Sequence, residues 1–393
     1  MNKSNTELLK VAVNTAEYFG FTPLAEFKKH PTCKSCTQPI PYSLSANDRK
    51  LDKLYGILGA GAQNYIDSKL HSLEAPVLFY TIDPVPRTQE IALNLQIFGV
   101  PKSIAEVVLI QTSRALLEEL GYANNIVRIN SLGDKDSGVR YYRELNNFLK
   151  KRLADMPTEA REKMKSHVCD ALMYLVDKEH ELAYKTPNPM EYLSDQSRKH
   201  FREIIEYMDM SETPYEIDPK LIGHHKCYSD AIFSIDILDK HDKALADPEV
   251  TVNGGRYDSF MQHHIKREIP ASGAVVIIKG SKLPARIPKS SLSKKPQVYV
   301  VQLGYGPKIK TLQLVNQLRK SGIVVKQDLA SDSLSTQLRD AEARSVQYAL
   351  IMGQKEFVDG TVILRDMKAR KQEHVALENI HQRLVRKSSI VAA

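Results

Sequence analysis

Residues 250–260 read VTVNGGRYDSF, and residues 269–283 read IPASGAVVIIKGSKL. The first stretch alternates apolar and polar residues, as a half-buried strand does, and breaks at two glycines, an arginine, a tyrosine and an aspartate. The second is apolar enough to lie in the middle of a sheet. Two such strands joined by a turn belong in the floor of a small-molecule site. Yet the second strand ends on Ile277, Ile278, Lys279 and Gly280, with no arginine or glutamate to hold a charged substrate. The pair has the frame of a nucleotide pocket without its charges.

Upstream of this pair, further strands are expected in PVLFYTI (76–82), LQIFGV (95–100), NIVRINSLGD (125–134) and DAIFSIDIL (230–238). Ser4 with Glu7, and Ser103 with Glu106, have capping-box spacing and open two predicted helices, ending at Gly20 and Gly121. Residues 136–153 are helical in pattern, and 155–210 are helical and polar apart from a loop. The order of sheet, helical insertion and sheet predicts an α+β domain over 1–153 and 211–283, interrupted by a helical insertion at 154–210. A Lys, Ser and Pro-rich linker follows at 284–296. Beyond it strands and helices alternate, which predicts an α/β domain over 297–388 with a mostly parallel sheet.

The 393 residues are 42% hydrophobic and 26% charged, the composition of an ordinary globular protein. No run approaches eighteen apolar residues, so no membrane partner is expected. The N-terminal stretch MNKSNTELLKVAVNTAEYFG is too charged for a secretory signal. Four cysteines make no disulfide framework, and a cytoplasmic setting is expected. The net charge of +8 favours a polyanionic partner, nucleic acid first.

Four segments, in order, carry a resemblance. INSLGDKDSGVRYYRELNNFL (129–149), YLSDQSRKHFREIIEYMDMSETPYEIDPKL (192–221), GGRYDSF (254–260) and LSTQLRDAEARSVQYALIMGQKEFVDGTVILRDMKARKQ (334–372) resemble bacterial-type histidyl-tRNA synthetase, a class II aminoacyl-tRNA synthetase. The similarity runs from about residue 76 to 385. It implies an antiparallel class II sheet with a helical insertion, a C-terminal α/β anticodon-binding domain, and a homodimer.

The resemblance also implies where substrates would lie, and those positions are altered. FYTIDPVPRTQE (79–90) fits the second motif and keeps Arg87, a vestigial catalytic candidate, with Gln89 in place of a glutamate. Gln96 and Ile97 fall where a His-Gln pair should face the substrate, and Pro101 where a glutamate should. LIGHHKCY (221–228) maps onto the signature Leu-Val-Arg-Gly-Leu-Asp-Tyr-Tyr. Gly223 replaces its arginine and Lys226 its aspartate, leaving Tyr228 as the matching polar residue. Gly-Leu-Glu-Arg of the third motif becomes Ile277, Ile278, Lys279 and Gly280. What remains as a ligand-binding set is Gln96, Tyr228, Gly254, Gly255 and Arg256. Losing one preorganised charge at such a site costs about 10²–10³ in rate. Several are gone, so the expectation is a paralogue that has lost aminoacylation and serves as a tRNA- or RNA-binding or regulatory protein, with no cofactor. A working histidine–tRNA ligase using ATP and Mg²⁺ remains open, as does a regulatory subunit of ATP phosphoribosyltransferase with a regulated protein partner.

HPTCKSC (30–36) puts His30, Cys33 and Cys36 at zinc-like spacing, but no second ligand pair follows, so no metal is expected. LGYGP (303–307) is a strand-to-helix turn with phosphate-loop flavour. In the last domain Gln337, Arg339, Arg344, Arg370 and Lys371 are the candidate RNA contacts, with Lys355, Arg365 and Lys368 adding charge.

Overall fold

The structure, a computed structural model, describes residues 5–27, 50–85, 88–223, 228–265, 268–280, 296–328 and 331–391. His30, Cys33, Cys36, Arg87, Lys226 and most of the linker lie outside the described residues. The chain divides into two compact units, residues 1–22 with 284–393 and residues 23–283. The first twenty-odd residues thus group with the C-terminal unit, not with the sheet domain to which the sequence pattern assigned them. Helix α1 (Asn5–Tyr18) is the reason: the Tyr18 hydroxyl donates to the carbonyls of Val315 and Ile323, both at 3.0 Å, and is buried there.

The sheet unit is built from β1 (Thr22–Pro23), α2 (Lys50–Asp67), β2 (Val77–Pro84), β3 (Glu90–Phe98), α3 (Ile104–Leu120), β4 (Asn125–Ser131) and α4 (Lys135–Lys150). The polar insertion supplies α5 (Thr158–Ser166), α6 (Val168–Asp177), α7 (Glu181–Tyr184) and α8 (Asp195–Met210). The chain then returns through β5 (Tyr215–Ile217), β6 (Ser229–Ile237), β7 (Val250–Arg256), α9 (Asp258–Ile265) and β8 (Ala271–Lys279). The strands form one sheet in the order β1-β2-β3-β8-β7-β6-β4-β5. Its central pairings are antiparallel, and β4 with β5 is parallel. The two stretches that open the sequence argument, β7 and β8, lie side by side with Gly255 opposite Gly273.

Both faces of the sheet are covered, which is why β3 and β8 are buried almost throughout. Helix α2 packs on β3 and β8, and α3 packs on β7 and β8. Ile57, Leu58 and Ala62 of α2 share one core with Phe79, Phe98, Val275 and Ile277 of the strands, and with Tyr141, Leu145 and Leu172 of α4 and α6. The Ser103–Glu106 capping box does not form. Ser103 donates to Glu203 at 2.5 Å, and Glu106 is drawn away to a buried arginine.

The C-terminal unit continues with β9 (Val298–Gln302), α10 (Tyr305–Lys320), β10 (Val325–Gln327), α11 (Leu334–Ala343), β11 (Tyr348–Met352), α12 (Gln354–Asp359), β12 (Thr361–Asp366), β13 (Gln372–Ala376) and α13 (Leu377–Val391). Its sheet order is β10-β9-β11-β12-β13. The sheet is mixed, not mostly parallel: β9 runs parallel to β10 and β11, but β11–β12 and β12–β13 are antiparallel. The connections on this side are too short for a parallel crossover: residues 353–360, with α12, join β11 to β12, and residues 367–371 join β12 to β13.

Candidate functional site

The residues expected at the substrate floor separate onto two sides of the sheet. Gln96, Gly273 and Gly255 form one row across β3, β8 and β7. Neighbouring residues of a strand point to opposite faces, so Gly254 and Arg256 belong to the other side. The expected set of Gln96, Tyr228, Gly254, Gly255 and Arg256 is therefore not one site.

The row that carries Gln96 is closed by the chain itself. Gln96 is fully buried and Asn94 nearly so. Gln96 Nε2 donates to Asn94 Oδ1 at 2.6 Å, and Asn94 Nδ2 donates to the Ile57 carbonyl of α2 at 2.8 Å. The Tyr257 hydroxyl donates to Gln96 Oε1. Helix α2 approaches so closely that a Cβ on Gly61 would stand 2.4 Å from Gln96 Nε2. Over Gly273 the space is taken by Leu58, whose Cδ2 would meet an added Cβ at 2.9 Å. Over Gly255 it is taken by Tyr228, whose ring also lies on Gly223. The glycines that would form the floor of a pocket here admit protein side chains. At the end of β8, Ile277 and Ile278 are buried, and Lys279 is paired with Asp247.

On the opposite side, Arg256 is 1% exposed and wholly committed. Its Nε donates to Glu106 Oε1 at 2.6 Å and its Nη2 to Glu106 Oε2 at 3.0 Å, with further bonds to the carbonyls of Val100 and Lys102 and to Asp258. His200 of α8 meets the same Glu106 oxygen at 3.0 Å through Nε2. Burial pushes the Glu106 carboxyl up, but Arg256 and His200 together outweigh it and hold the pKa at about 2. Burial pulls His200 down, and Glu106 more than reverses this, so its pKa is raised. Arg256 is thus a structural cation joining β7 to α3, with its donors taken by protein acceptors.

Beside this cluster lies a half-open polar cavity of about 390 Å³. Its wall includes Asp134, Ser197, His200, Asp230 and Arg256. Ser197 Oγ donates to Asp230 Oδ1 at 2.6 Å and accepts from the Asp134 amide at 3.0 Å. Apart from Ser197 and His200, both on α8, these residues come from segments far apart in the chain, and in the sequence Glu106 read only as half of a capping box. Among the described residues no group of three or more His, Cys, Asp or Glu could hold a metal ion, and no helix is long and apolar enough to cross a membrane.

In the C-terminal unit Gln337 is fully buried. Its Nε2 donates to the carbonyls of Gln302 and Ser331, and its Oε1 accepts from the Gln302 amide. It ties α11 to β9 and is not placed to touch a base, which corrects the sequence expectation. Arg344 is exposed but bound to Asp340 through both carboxylate oxygens. Arg339, Lys355, Lys368, Arg370 and Lys371 are exposed, and among the described residues none stands in an ion pair. The LGYGP turn leads into α10 as a strand-to-helix connection, with Asp332 accepting from the Gly304 amide and pairing with the buried Lys308.

Residues 297–387 match the family model described as an anticodon binding domain. The chain is similar to a histidine–tRNA ligase of Halalkalibacterium halodurans, at 25% identity over 80% of this chain and 76% of that protein. It is also similar to a histidine–tRNA ligase of Fervidobacterium nodosum, at 27% identity over 70% of this chain and 65% of that one. Among solved structures, apo S. aureus histidyl-tRNA synthetase aligns with a TM-score of 0.46 and 17% identity, over 82% of this chain and 81% of that one. The sequence matches span both the sheet unit and the C-terminal unit, so the chain is similar to histidine–tRNA ligases along most of its length.

Proposed function

We propose that this chain does not form histidyl-adenylate and that it acts as an RNA-binding protein. The observation that carries the reading is the occupied sheet face, where Leu58, Gly61 and Tyr228 lie directly on the Gln96–Gly273–Gly255 row. Adenylate formation needs fixed cations on the ATP phosphates and polar groups on the amino acid, and these are the groups that change. Gly223 stands for an arginine, and the strand that should lead to the third-motif arginine ends on Ile277, Ile278, Lys279 and Gly280. Each lost charge removes about 10²–10³ in rate, and losses at several positions compound.

The test is histidine-dependent pyrophosphate exchange with the purified full-length chain, ATP and Mg²⁺. Exchange should stay at background. Turnover within about a hundredfold of an ordinary synthetase would overturn the reading, since it is smaller than the loss of even two such groups.

Support for RNA binding comes from the anticodon-binding match and from the unpaired surface cations of that unit. Affinity from such cations falls with salt, by about 0.7–0.9 in log–log slope for each phosphate met. Because α1 is part of the C-terminal unit, the binding experiment uses the whole chain and not a fragment starting at Gln297. The reading also includes a homodimer through the sheet units, since loss of catalysis removes no reason to bury an obligate interface, typically above about 2,000 Å². Light scattering at micromolar concentration should return twice the mass of one chain, and a stable monomer would remove the dimer.

A further inference from the structure

The turn between β12 and β13 concentrates charge and holds it in one conformation. Residues 366–371 read DMKARK, and Lys368, Arg370 and Lys371 are all exposed. Two other arginines of this unit are paired: Arg344 is held by Asp340, and Arg383 by Glu373. Among the described residues the three tip cations meet no carboxylate. The loop beneath them is tied at its base. Asp366 Oδ1 accepts from the amides of Lys368, at 3.0 Å, and Ala369, at 2.8 Å. The Asp366 amide donates to the Lys371 carbonyl at 2.9 Å, and the Met367 amide to the Gln347 carbonyl at 3.0 Å. Arg370 is held in the left-handed region at φ 55°, a conformation that a free chain rarely visits at arginine.

We propose that this hairpin tip is a preorganised contact for the phosphate backbone of RNA, and that Asp366 is its positioning residue. The inference rests on the RNA-binding reading and deepens it. A loop that is already ordered loses little conformational freedom when phosphates bind, so its cations bind more tightly than the same charges on a loose segment. Asp366 contributes through two hydrogen bonds although its own charge opposes the ligand.

That opposition makes the test sharp. Bulk charge alone requires any exposed acid near the site to weaken RNA binding, so removing one should tighten it. Preorganisation requires the reverse at this single position. Binding of unfractionated tRNA to the full-length chain is measured by fluorescence anisotropy at low salt, with melting curves to confirm folding. Asp366→Ala should bind about five- to tenfold more weakly than the unaltered chain, despite its added net positive charge. Asp366→Asn, which keeps the oxygen acceptor and loses the charge, should bind at least as tightly as the unaltered chain. Asp359→Ala, at an exposed acid in the same unit, should also bind as tightly or tighter. If Asp366→Ala does not fold, Ala369→Pro takes its place, because it deletes one of the two donors without a change of charge. Arg370→Ala and Lys371→Ala should each flatten the salt slope by about 0.7–0.9. Binding by Asp366→Ala that equals or exceeds the unaltered chain, in line with Asp359→Ala, overturns the role of the tip while leaving RNA binding in place. Failure of the unaltered chain to bind tRNA at low salt overturns RNA binding itself.

Discussion

Glu106→Ala should lower stability by about 3–5 kcal/mol, which for a chain of this size moves the melting midpoint by roughly 10 °C. The carboxylate is fully buried and is the shared partner of Arg256, which is 1% exposed, and His200. Removing it leaves a guanidinium in the interior with only carbonyls and Asp258 to answer it, and an uncompensated buried charge is among the costliest single defects. Replacing all three partners by apolar residues of similar size should recover most of the loss, because no buried charge is then left unpaired. The same cluster sets a pH dependence on both sides. Glu106 is held at about 2, below its ordinary 4.5, so its contribution is complete above pH 4.5 and is lost as pH falls toward 2. His200 is raised above its ordinary 6.5, so its contribution is complete below pH 6.5 and disappears as pH rises through the higher folded value. Denaturant midpoints measured from pH 5 to 9 should therefore decline on the alkaline side, and His200→Gln should flatten that decline. An unchanged midpoint for Glu106→Ala would show that the cluster does not stabilise the fold.

Gly255→Ala should lower stability by about 2–6 kcal/mol, combining backbone strain with overpacking. Its φ is 159°, and an added Cβ would stand 2.6 Å from the Ala231 carbonyl oxygen and 2.9 Å from the Tyr228 ring. The carbonyl belongs to the neighbouring strand, so no side-chain rotation relieves the contact. Gly254→Ala meets the same difficulty on the opposite face, at 2.5 Å from Phe233 and 2.6 Å from the Gly273 carbonyl. Thermal melts of both variants would be compared with Gly121→Ala, where nothing lies within 4 Å and only the left-handed φ of 101° is strained. If all three lose the same stability, close packing is not what requires glycine at 254 and 255. The expected ordering explains why β7 carries glycines at 254 and 255: they serve strand and ring packing.

Much of the fold was legible because its signals are local. The alternation in VTVNGGRYD and the apolar run of GAVVII marked β7 and β8, and Gly121 marked the end of α3, whose φ there is 101°. Other readings went astray where a long-range contact outbid a local one. Glu106 has capping-box spacing, but a buried guanidinium offers its carboxylate more than one amide at a helix end. Gln337 sits in a polar, basic stretch that suggests a surface, yet β9 presents it with backbone groups to satisfy. The antiparallel half of the C-terminal sheet was missed because strand direction depends on the connections before and after β12 more than on the strand itself.

By itself, the sequence determined the chemistry available: which charges are absent near Gly223 and Gly280, and which cations cluster at Lys368, Arg370 and Lys371. Those are matters of residue type, which no folding can alter. Only the tertiary structure decided what covers the sheet face around Gln96 and which polar residues are committed. Placing Leu58 and Gly61 over Gln96, and Glu106 beside both Arg256 and His200, depends on how far-apart segments meet. Burial makes those meetings count, because a charge or a Cβ that water would accommodate must find its partner, or its space, inside the protein.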